Sequence, residues 1–318
     1  MSLLPDNFAA LLYLKNQCRK WKNIAFLMLI ISFLLFFKLA SKSSDSGDIE
    51  NDASDYIATI KIDGIIFDDD YRTKILKKLA TQNNIKAVIV NIDSPGGGVV
   101  GSEILYNNLR EIAKHKPIIS VMGSMAASGG YMAAIASDYI IARNGTLTGS
   151  IGVIIQASEF TDLADKIGVK FLTYKSSPLK ASPSPFEKTN PKVDQVINES
   201  IKDTYEFFSG LVLERRGDKL NKKNLDHIID GRIFTGRQAI KAGLIDEIGG
   251  EAEALAYLKT TDKIDTDNME IKEVSIKEEE SKFLGQLLGE SSVTKILGLH
   301  QKNEQVMAIW NLNNYSFR

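Results

Sequence analysis

The residue with the clearest chemical potential in this sequence is a serine among small residues. Ser128 lies in the stretch VMGSMAASGGYMAA and is followed directly by Gly129 and Gly130. A nucleophilic serine needs such a setting, because a sharp strand-to-helix turn exposes its Oγ and small neighbours admit a substrate backbone. Ala126-x-Ser128-x-Gly130 differs by one residue from the Gly-x-Ser-x-Gly nucleophile elbow. Close helix packing is the more common cause of such a pattern, so the motif alone does not establish a nucleophile.

A serine nucleophile also needs a base, and histidine, the usual one, is scarce in this chain. The 318 residues include three histidines, His115, His227 and His300. None of them lies at a glycine-rich turn or at the end of a predicted strand. Because His227 and His300 follow Ser128 in the chain, in the order found in α/β-hydrolases, a Ser–His hydrolase stays open as an alternative.

The other candidate bases are two lysines, Lys175 and Lys180, in the Pro/Ser-rich stretch TYKSSPLKASPSPF. A lysine acts as a base only when it is neutral. Lowering a lysine pKa from about 10.4 to roughly 7.5 corresponds to about 4 kcal/mol of destabilisation of the cation. Only a desolvated pocket provides that environment, so we expect this loop to pack over the serine. Ser177 and Lys180 also form a Ser-x-x-Lys pair, but the Lys-Thr-Gly motif of penicillin-binding proteins is missing.

A second glycine-rich turn, DSPGGG at residues 93–98, joins a predicted strand to a helix that starts near Ser102. Glycines at such a turn let backbone N–H groups face an oxyanion or a phosphate at the start of the helix. A phosphate site is disfavoured because the Lys-Ser/Thr ending of a P-loop is missing. An oxyanion site and a plain tight turn both stay open.

The composition restricts the chemistry further. The chain has 39 basic and 40 acidic side chains, a formal net charge of -1 and 44% hydrophobic residues, which is the profile of a globular protein. This charge gives no reason to expect nucleic-acid binding. A single cysteine excludes an intrachain disulfide, and the scattered histidines leave little for a zinc site, so we expect neither a metal nor a cofactor.

Apolar runs that alternate with stretches of helical spacing must form the scaffold for these turns. The predicted strands cover residues 57–62, 87–92, 118–122, 139–142, 151–155 and 170–174. The predicted helices cover residues 71–82, 102–114, 129–136, 160–167, 191–216, 236–242 and 251–259. Near-continuous apolar strands between helices indicate an α/β domain with a largely buried sheet, here over residues 56–259.

The N-terminal region predicts a membrane anchor. Residues 24–37 read IAFLMLIISFLLFF without a charge, and with its flanks the span 23–40 approaches the length of a transmembrane helix. Basic residues precede it and acidic residues follow, so the positive-inside rule places residues 1–22 in the cytoplasm and the rest of the chain outside. A cleaved signal peptide is the alternative, although no clean Ala-x-Ala site follows. Residues 41–55 read as a polar linker.

The last part of the chain, residues 260–318, loses this periodicity and carries the charged stretch KEVSIKEEESK. Apolar residues between positions 283 and 299 favour an amphipathic helix for a partner subunit or a membrane surface. A frayed tail with one docked helix is an equally good interpretation of the same pattern.

Five sequence blocks occur together and in one order. They are DSPGGG (93–98), SMAASGGYMAA (124–134), TGSIGV (148–153), KSSPLKASPSPF (175–186) and GRIFTGRQAIKAGLIDEIGG (231–250). In this order the chain resembles, over about residues 56–258, the short single-unit form of the signal peptide peptidase A family of serine peptidases. Where that family has Ser-Gly and a residue other than proline ahead of its lysine, this chain has Ser177-Pro178. The Ser-Pro-Phe that follows Lys180 still matches.

The resemblance implies a ClpP/crotonase-like α/β fold of repeated β-β-α units and a Ser–Lys dyad. At the matching positions, Ser128 is the nucleophile and Lys180 the general base. Gly97 and Gly129 would donate backbone N–H groups to the oxyanion, and Ser150 would orient the lysine.

The resemblance also implies a substrate class and a location. The expected substrates are signal peptides left in the membrane after preprotein processing. They would be cut by a homo-oligomeric ring anchored in a bacterial inner membrane, with the catalytic domain on the periplasmic face. Two further alternatives stay open beside the Ser–His hydrolase. One is a peptidase of the same fold that cuts a specific membrane protein, and the other is a non-catalytic membrane scaffold.

Overall fold

The structure, a computed structural model of the chain, describes residues 20–22, 26–32, 54–277 and 307–309. The chain divides into two compact units. The larger unit comprises Ile49–Glu278 and Leu297–Arg318, and it contains the sheet.

The smaller unit, Met1–Asp48 and Glu279–Ile296, includes the predicted membrane anchor and part of the predicted tail. Its described residues, 20–22 and 26–32, are helical. In the described parts of the chain, no helix is both long and apolar enough to cross a membrane. Most of the predicted span 23–40 and all of the apolar stretch 283–299 lie outside the described residues, so both stay predictions.

One mixed sheet forms the centre of the larger unit. Its strands are β1 (Tyr56–Ile66), β2 (Ile85–Gly98), β3 (Ile118–Ala127), β4 (Tyr139–Ala142), β5 (Leu147–Gly149), β6 (Ile233–Thr235), β7 (Glu247–Ile248), β8 (Glu270–Glu273) and β9 (Met307–Ile309). They follow the order β6-β5-β3-β2-β1-β8, with β4 on β3, β7 on β4 and β9 on β2. In the described sheet, β5–β6 and β2–β9 are antiparallel and the other pairs are parallel. The predicted α/β class is confirmed.

Helices form most of the described connections between the strands. They are α1 (Asp70–Thr81), α2 (Val99–Ala113), α3 (Gly129–Ala134), α4 (Thr161–Lys166), α5 (Pro191–Arg216), α6 (Leu225–Ile228), α7 (Gly236–Ala242) and α8 (Glu251–Thr260). The sequence explains the start of α5, because the Asn190 side chain accepts hydrogen bonds from Lys192 N and Val193 N and Pro191 occupies the first turn. The seven predicted helices are found, and their ends differ by at most three residues.

The strands are apolar because helices cover both faces of the sheet. Ile57 and Ile60 of β1 are both fully buried, but they belong to two separate core clusters. Successive strand residues point to opposite faces, so these two side chains lie on opposite sides of the sheet. Leu105 of α2 belongs to the larger cluster and Leu258 of α8 to the smaller one. A sheet covered on both faces explains why its strands lack polar alternation.

Two predicted strands are wrong. Residues 151–155 contribute an isolated bridge at Ile154, and residues 170–174 have no strand structure. Both runs have the β-branched or aromatic composition of a strand, but composition reports a fit to a half-buried sheet surface rather than a backbone preference. Leu172 and Tyr174 are largely exposed and, among the described strands, none pairs with this run.

The folded domain extends beyond the predicted boundary at residue 259. β8 pairs in parallel with β1, Val274 N donates to Thr59 O (2.8 Å) and Ile276 is buried. The sequence of β8, EIKE, does not predict a strand because it is mostly charged, as is common for edge strands.

The long strands are each interrupted shortly before a helix. Register shifts occur between Asp63 and Ile65 in β1 and between Ile92 and Ser94 in β2. Strand β3 changes partner from β4 in its first half to β5 in its last three residues. Each of these strands therefore has two segments ahead of its helix, and the second segments of β2 and β3 carry the candidate site.

Candidate active site

Ser128 lies between the end of β3 and the start of α3, in the strand–turn–helix path that the sequence predicts. Its φ of 53° and ψ of -119° are unusual for a non-glycine residue, and a strained turn of this kind is typical of a nucleophile elbow. Its N–H donates to Gly149 O (2.9 Å), and its carbonyl accepts from Met132 N (2.9 Å). The side chain is 1% exposed, and among the described residues its Oγ has no hydrogen-bond partner. Among the described residues, no candidate base therefore forms a hydrogen bond with the candidate nucleophile.

The glycines at the end of β2 bring the predicted oxyanion donors together. Position 97 must be glycine, because a Cβ there would lie 1.8 Å from Ile66 O. A Cβ added at Gly129 would lie 3.2 Å from Gly97 N, so the two glycine backbones are close. Gly129 is the first residue of α3, and its N–H has no partner within that helix. Two such backbone groups next to a serine are the components of an oxyanion hole.

The polar side chains of DSPGGG hold this geometry in place. Ser94 Oγ donates to Gly64 O (2.6 Å) and accepts from Gly96 N (3.1 Å). Asp93 Oδ1 accepts from Met125 N (3.0 Å). These bonds tie the end of β2 to both neighbouring strands at the point where register shifts interrupt the regular ladder, so backbone groups there still find partners.

Ser150 lies beside the nucleophile. It follows Gly149, whose carbonyl accepts the Ser128 N–H, and it is buried. Its φ of 50° is again unusual for a non-glycine residue, and its N–H donates to Arg232 O (2.8 Å). The structure therefore gathers four of the five predicted site residues around one turn.

The fifth predicted residue, Lys180, is placed differently. It lies in residues 154–190, which we call the lysine segment, and its side chain is exposed. Within the described part of the chain, its amino group forms no hydrogen bond or ion pair, with Ser128 or with any other residue. The expectation that this loop packs over the serine therefore stays a prediction.

The lysine segment contributes no residue to either core cluster, although it is rich in apolar residues. Its exposed apolar residues are Ile154, Phe160, Leu163, Ile167, Val169, Phe171, Leu172, Tyr174 and Phe186. Phe171 and Phe186 contact each other, with ring centroids 4.2 Å apart, and both are still 45% exposed. An exposed apolar set of this size is typical of an interaction surface.

The structure distinguishes the two lysines of this loop. Lys175 forms an ion pair with Glu187. The hydrogen bond from Lys175 holds the pKa of Glu187 below its usual value, against the opposing effect of burial. The amino group of Lys175 is thus already engaged by a carboxylate, which makes Lys175 the less suitable candidate base. Lys180, with no carboxylate partner in the described residues, stays the candidate.

The described histidines lie on the surface and are bound to other residues. His227 is exposed, and its Nδ1 lies 3.1 Å from Arg232 Nη2 and 3.7 Å from Asp230 Oδ2. His115 is exposed beside Glu111, at 3.4 Å. His300 lies outside the described residues. Neither described histidine forms a hydrogen bond with Ser128, so the geometry gives no support to a Ser–His pair.

Two features of the site are absent from the sequence-based predictions. Strand β9 pairs antiparallel with β2 directly on the glycines, with Ala308 opposite Gly97. Ser102, used above only to mark the start of a helix, has a buried hydroxyl without a described partner, like Ser128. Strand β9 has three residues, which is too few for their apolar spacing to predict a strand. A single serine in a predicted helix, such as Ser102, gives no indication of a role in the site.

Comparisons with known proteins agree with a peptidase site. Residues 110–265 match the family described as Peptidase family S49. A Synechocystis protein named as a protease is 36% identical over 217 residues, which are 68% of this chain and 77% of that protein. An Enterococcus faecium protein named as signal peptide peptidase SppA is 37% identical over 190 residues, 59% of this chain and 55% of that protein. Protease 4 of Haemophilus influenzae is 35% identical over 209 residues, 63% of this chain and 34% of that protein.

Two solved structures have a lower sequence identity to the chain. A mutant of the membrane-bound stomatin-specific protease 1510-N aligns with a TM-score of 0.41 and 18% identity, covering 70% of this chain and 98% of that one. A ClpP1 mutant from Listeria monocytogenes aligns with a TM-score of 0.40 and 16% identity, covering 60% and 91%. The α/β class of this chain rests on its own sheet topology.

Proposed function

Because this chain belongs to peptidase family S49, and is thus a serine peptidase, we propose that it is an endopeptidase with Ser128 as nucleophile and Lys180 as general base. The observation that carries the proposal is the Ser128 turn, a strained residue with a buried, unpartnered hydroxyl next to two glycine backbones. In this proposal the α/β fold is of the ClpP/crotonase-like type, and the site lies at the second segments of β2 and β3.

In the proposed enzyme, the lysine reaches the serine from a second copy of the chain. Lys180 is exposed in one chain, whereas a lysine acts as a base only in a desolvated pocket. The apolar side chains around it, such as Leu172 and Tyr174, are also exposed. Packing this segment against a neighbour would bury the apolar surface and desolvate the lysine at once. A homo-oligomeric ring provides each site with such a neighbour.

The chemistry then follows the scheme of a serine peptidase. Neutral Lys180 takes the proton of Ser128 as Oγ attacks the peptide carbonyl carbon, and Gly97 N and Gly129 N hold the oxyanion. The lysine gives that proton to the leaving amine as the C–N bond breaks, which leaves an acyl-serine. A water that loses a proton to the lysine then attacks the ester carbon, and the lysine returns that proton to Ser128 Oγ as the C–O bond of the ester breaks and the acid product leaves. Ser150, next to the nucleophile, orients the lysine amino group.

The proposed substrate is an extended peptide that joins the sheet at Gly96–Gly98. The antiparallel pairing of β9 with these glycines supports this, because it is the geometry in which a peptide strand adds to a sheet edge. A peptide in that place brings its carbonyl groups next to the glycine N–H groups and Ser128.

We further propose that the substrates are signal peptides left in the membrane after preprotein processing. The apolar span 23–40 with its charge asymmetry supports a membrane anchor. The name of the Enterococcus faecium relative is that of a signal peptide peptidase. In this proposal the chain lies in a bacterial inner membrane with its catalytic domain on the periplasmic face.

The proposal is tested with a synthetic signal peptide and a second membrane segment of equal length. Wild type, Ser128→Ala, Lys180→Ala and His227→Ala are compared in detergent, at matched states of assembly. We expect cleavage of the signal peptide by wild type and by His227→Ala. The Ser128→Ala and Lys180→Ala variants should each lose at least about four orders of magnitude in kcat/KM, because members of a catalytic unit fail together.

Each alternative gives a different result in this experiment. Turnover that survives Lys180→Ala but not His227→Ala would establish a Ser–His hydrolase. Cleavage of the other segment in preference to the signal peptide would point to a peptidase for a specific membrane protein. A folded, assembled wild type whose Ser128 fails to react with a fluorophosphonate would be a non-catalytic scaffold.

A further inference from the structure

Ser102, in the first turns of α2, lies against the glycines of the site. Its side chain is fully buried. A Cβ added at Gly129 would lie 2.2 Å from Ser102 Oγ and 3.2 Å from Gly97 N. The Ser102 hydroxyl and Gly97 N therefore lie around the same point, the position that a Cβ of Gly129 would take.

The Ser102 hydroxyl has no hydrogen-bond partner among the described residues. Other buried hydroxyls in the same sheet do have partners. These pairs are Ser94 Oγ with Gly64 O, Thr148 Oγ1 with Ala126 O, and Ser120 Oγ with Ser137 Oγ. The sheet therefore satisfies its buried hydroxyls elsewhere, and at the site it leaves both Ser128 and Ser102 unsatisfied.

Packing does not explain this hydroxyl. An alanine at position 102 would keep the Cβ and fill nearly the same space without a buried unpaired group, which destabilises a folded protein. Buried unsatisfied polar groups are rare in natural proteins and often have a catalytic role. Ser128 is already explained in that way, and Ser102 is the second such hydroxyl at one place.

We infer that Ser102 is a third hydrogen-bond donor of the oxyanion hole. The inference rests on the proposed function and adds a residue to it. A tetrahedral oxyanion carries three lone pairs, so it can accept the Ser102 O–H together with Gly97 N–H and Gly129 N–H. The hydroxyl finds its partner only when charge develops on the substrate oxygen, and no proton leaves it. Ser102 then stabilises the transition state more than the bound substrate.

The test is the kinetics of Ser102→Ala in the assembled full chain, with the synthetic signal peptide as substrate. We expect kcat to fall on the order of 100-fold while KM changes by less than about twofold, as for loss of one oxyanion donor. The inhibition constant of a peptide aldehyde, which forms a tetrahedral adduct with the serine, should rise by a similar factor. The melting temperature should stay unchanged or rise, because the variant removes an unpaired buried group.

Ser120→Ala is the matched control, since it removes a buried serine hydroxyl of β3 that does have a partner. We expect this variant to lower the melting temperature, because Ser137 loses its partner, and to keep the wild-type kcat. The two variants should therefore show opposite patterns of stability and rate.

Two results would overturn the inference. One is a Ser102→Ala variant with wild-type kcat and wild-type aldehyde inhibition. The other is a loss of kcat that comes with a larger fall in melting temperature than in Ser120→Ala, since the hydroxyl would then support the fold. Either result leaves the proposed function intact if wild type cleaves the peptide and Ser128→Ala does not. Absence of cleavage by assembled wild type would instead overturn the proposed function.

Discussion

The Ser128 region and the lysine segment, residues 154–190, differ in how far one chain completes them. Around Ser128 the backbone is closely packed, since a Cβ at Gly97 would collide with Ile66 O and Ser128 itself is 1% exposed. In the lysine segment, Leu172 is 78% and Tyr174 92% exposed. The nucleophile half of the site is thus assembled by the fold of a single chain. The lysine segment, which carries the proposed base, instead presents an apolar surface that the described part of the chain does not cover.

The two regions differ in the source of the free energy that holds their side chains in place. The strain at Ser128 costs on the order of 1–3 kcal/mol and is held by the packing of two long strands beneath it. The lysine segment has no comparable core of its own to hold Lys180 in a fixed, dry position. In the proposed assembly, a contact with another copy provides that energy, and activity is then coupled to assembly.

The largest effect is expected from mixing two inactive variants. Ser128→Ala and Lys180→Ala are each inactive alone, but in a mixed ring some sites combine an intact serine of one subunit with an intact lysine of its neighbour. Random mixing at equal amounts should restore about a quarter of the wild-type activity. Subunits are co-expressed with two different tags, and hydrolysis of the signal peptide is measured on doubly purified complexes.

The control for mixing is the double variant Ser128→Ala/Lys180→Ala co-expressed with wild type. The double variant supplies neither Ser128 nor Lys180 to a neighbour, so this control measures how activity depends on the number of wild-type subunits in the complex. If the two single variants stay inactive in verified mixed complexes, both members of the dyad come from one chain, and the comparison drawn above is wrong.

The second prediction compares glycines of the two regions. Gly97→Ala places a Cβ 1.8 Å from Ile66 O, so β2 must move away from β1. We expect kcat to fall at least about 100-fold, because an oxyanion donor is displaced. Gly168 in the lysine segment has a φ of +74° and open space around it. Gly168→Ala should cost only about 1–2 kcal/mol of backbone strain.

The measurement for this pair is kcat together with the free energy of unfolding in urea. Gly168→Ala is expected to keep a wild-type kcat at temperatures where it is folded and assembled. An equal loss of kcat in both variants would show that the lysine segment is as tightly constrained as the nucleophile region.

The same difference decides what the sequence can predict. The turns at residues 93–98 and 128–130 are predictable because a strand, a small-residue turn and a helix follow one another locally, and the chain folds that way. The roles of Gly97 and Gly129 come from the family resemblance. The runs at 151–155 and 170–174 mislead because a strand also needs a neighbouring strand, which a local pattern does not report. In the proposed assembly the partner of Lys180 belongs to another copy, and no pattern within a chain specifies such a contact.

The third prediction compares two leucines. Leu105 is fully buried in α2, so Leu105→Ala should cost about 2–5 kcal/mol in the free energy of unfolding. Leu172→Ala should cost less than about 0.5 kcal/mol in dilute, unassembled protein, because the side chain is already in water. At higher concentration Leu172→Ala should weaken assembly, as measured by analytical ultracentrifugation. A variant that assembles like wild type would remove Leu172 from the proposed contact.

The smallest effect is expected from the strand that lies on the site. Strand β9 occupies the edge Gly96–Gly98, which a peptide substrate must use in the proposed function, so the two compete. Ala308→Pro removes a backbone N–H and fixes φ, which disfavours a strand there. If the edge is free for only a minor fraction of the time in wild type, KM should fall by about threefold and kcat should stay unchanged. Ala308→Ser, which keeps the N–H, is the control. A rise in KM in Ala308→Pro would mean that β9 helps to form the substrate site rather than to block it, because the strand would then be part of the surface that holds the peptide.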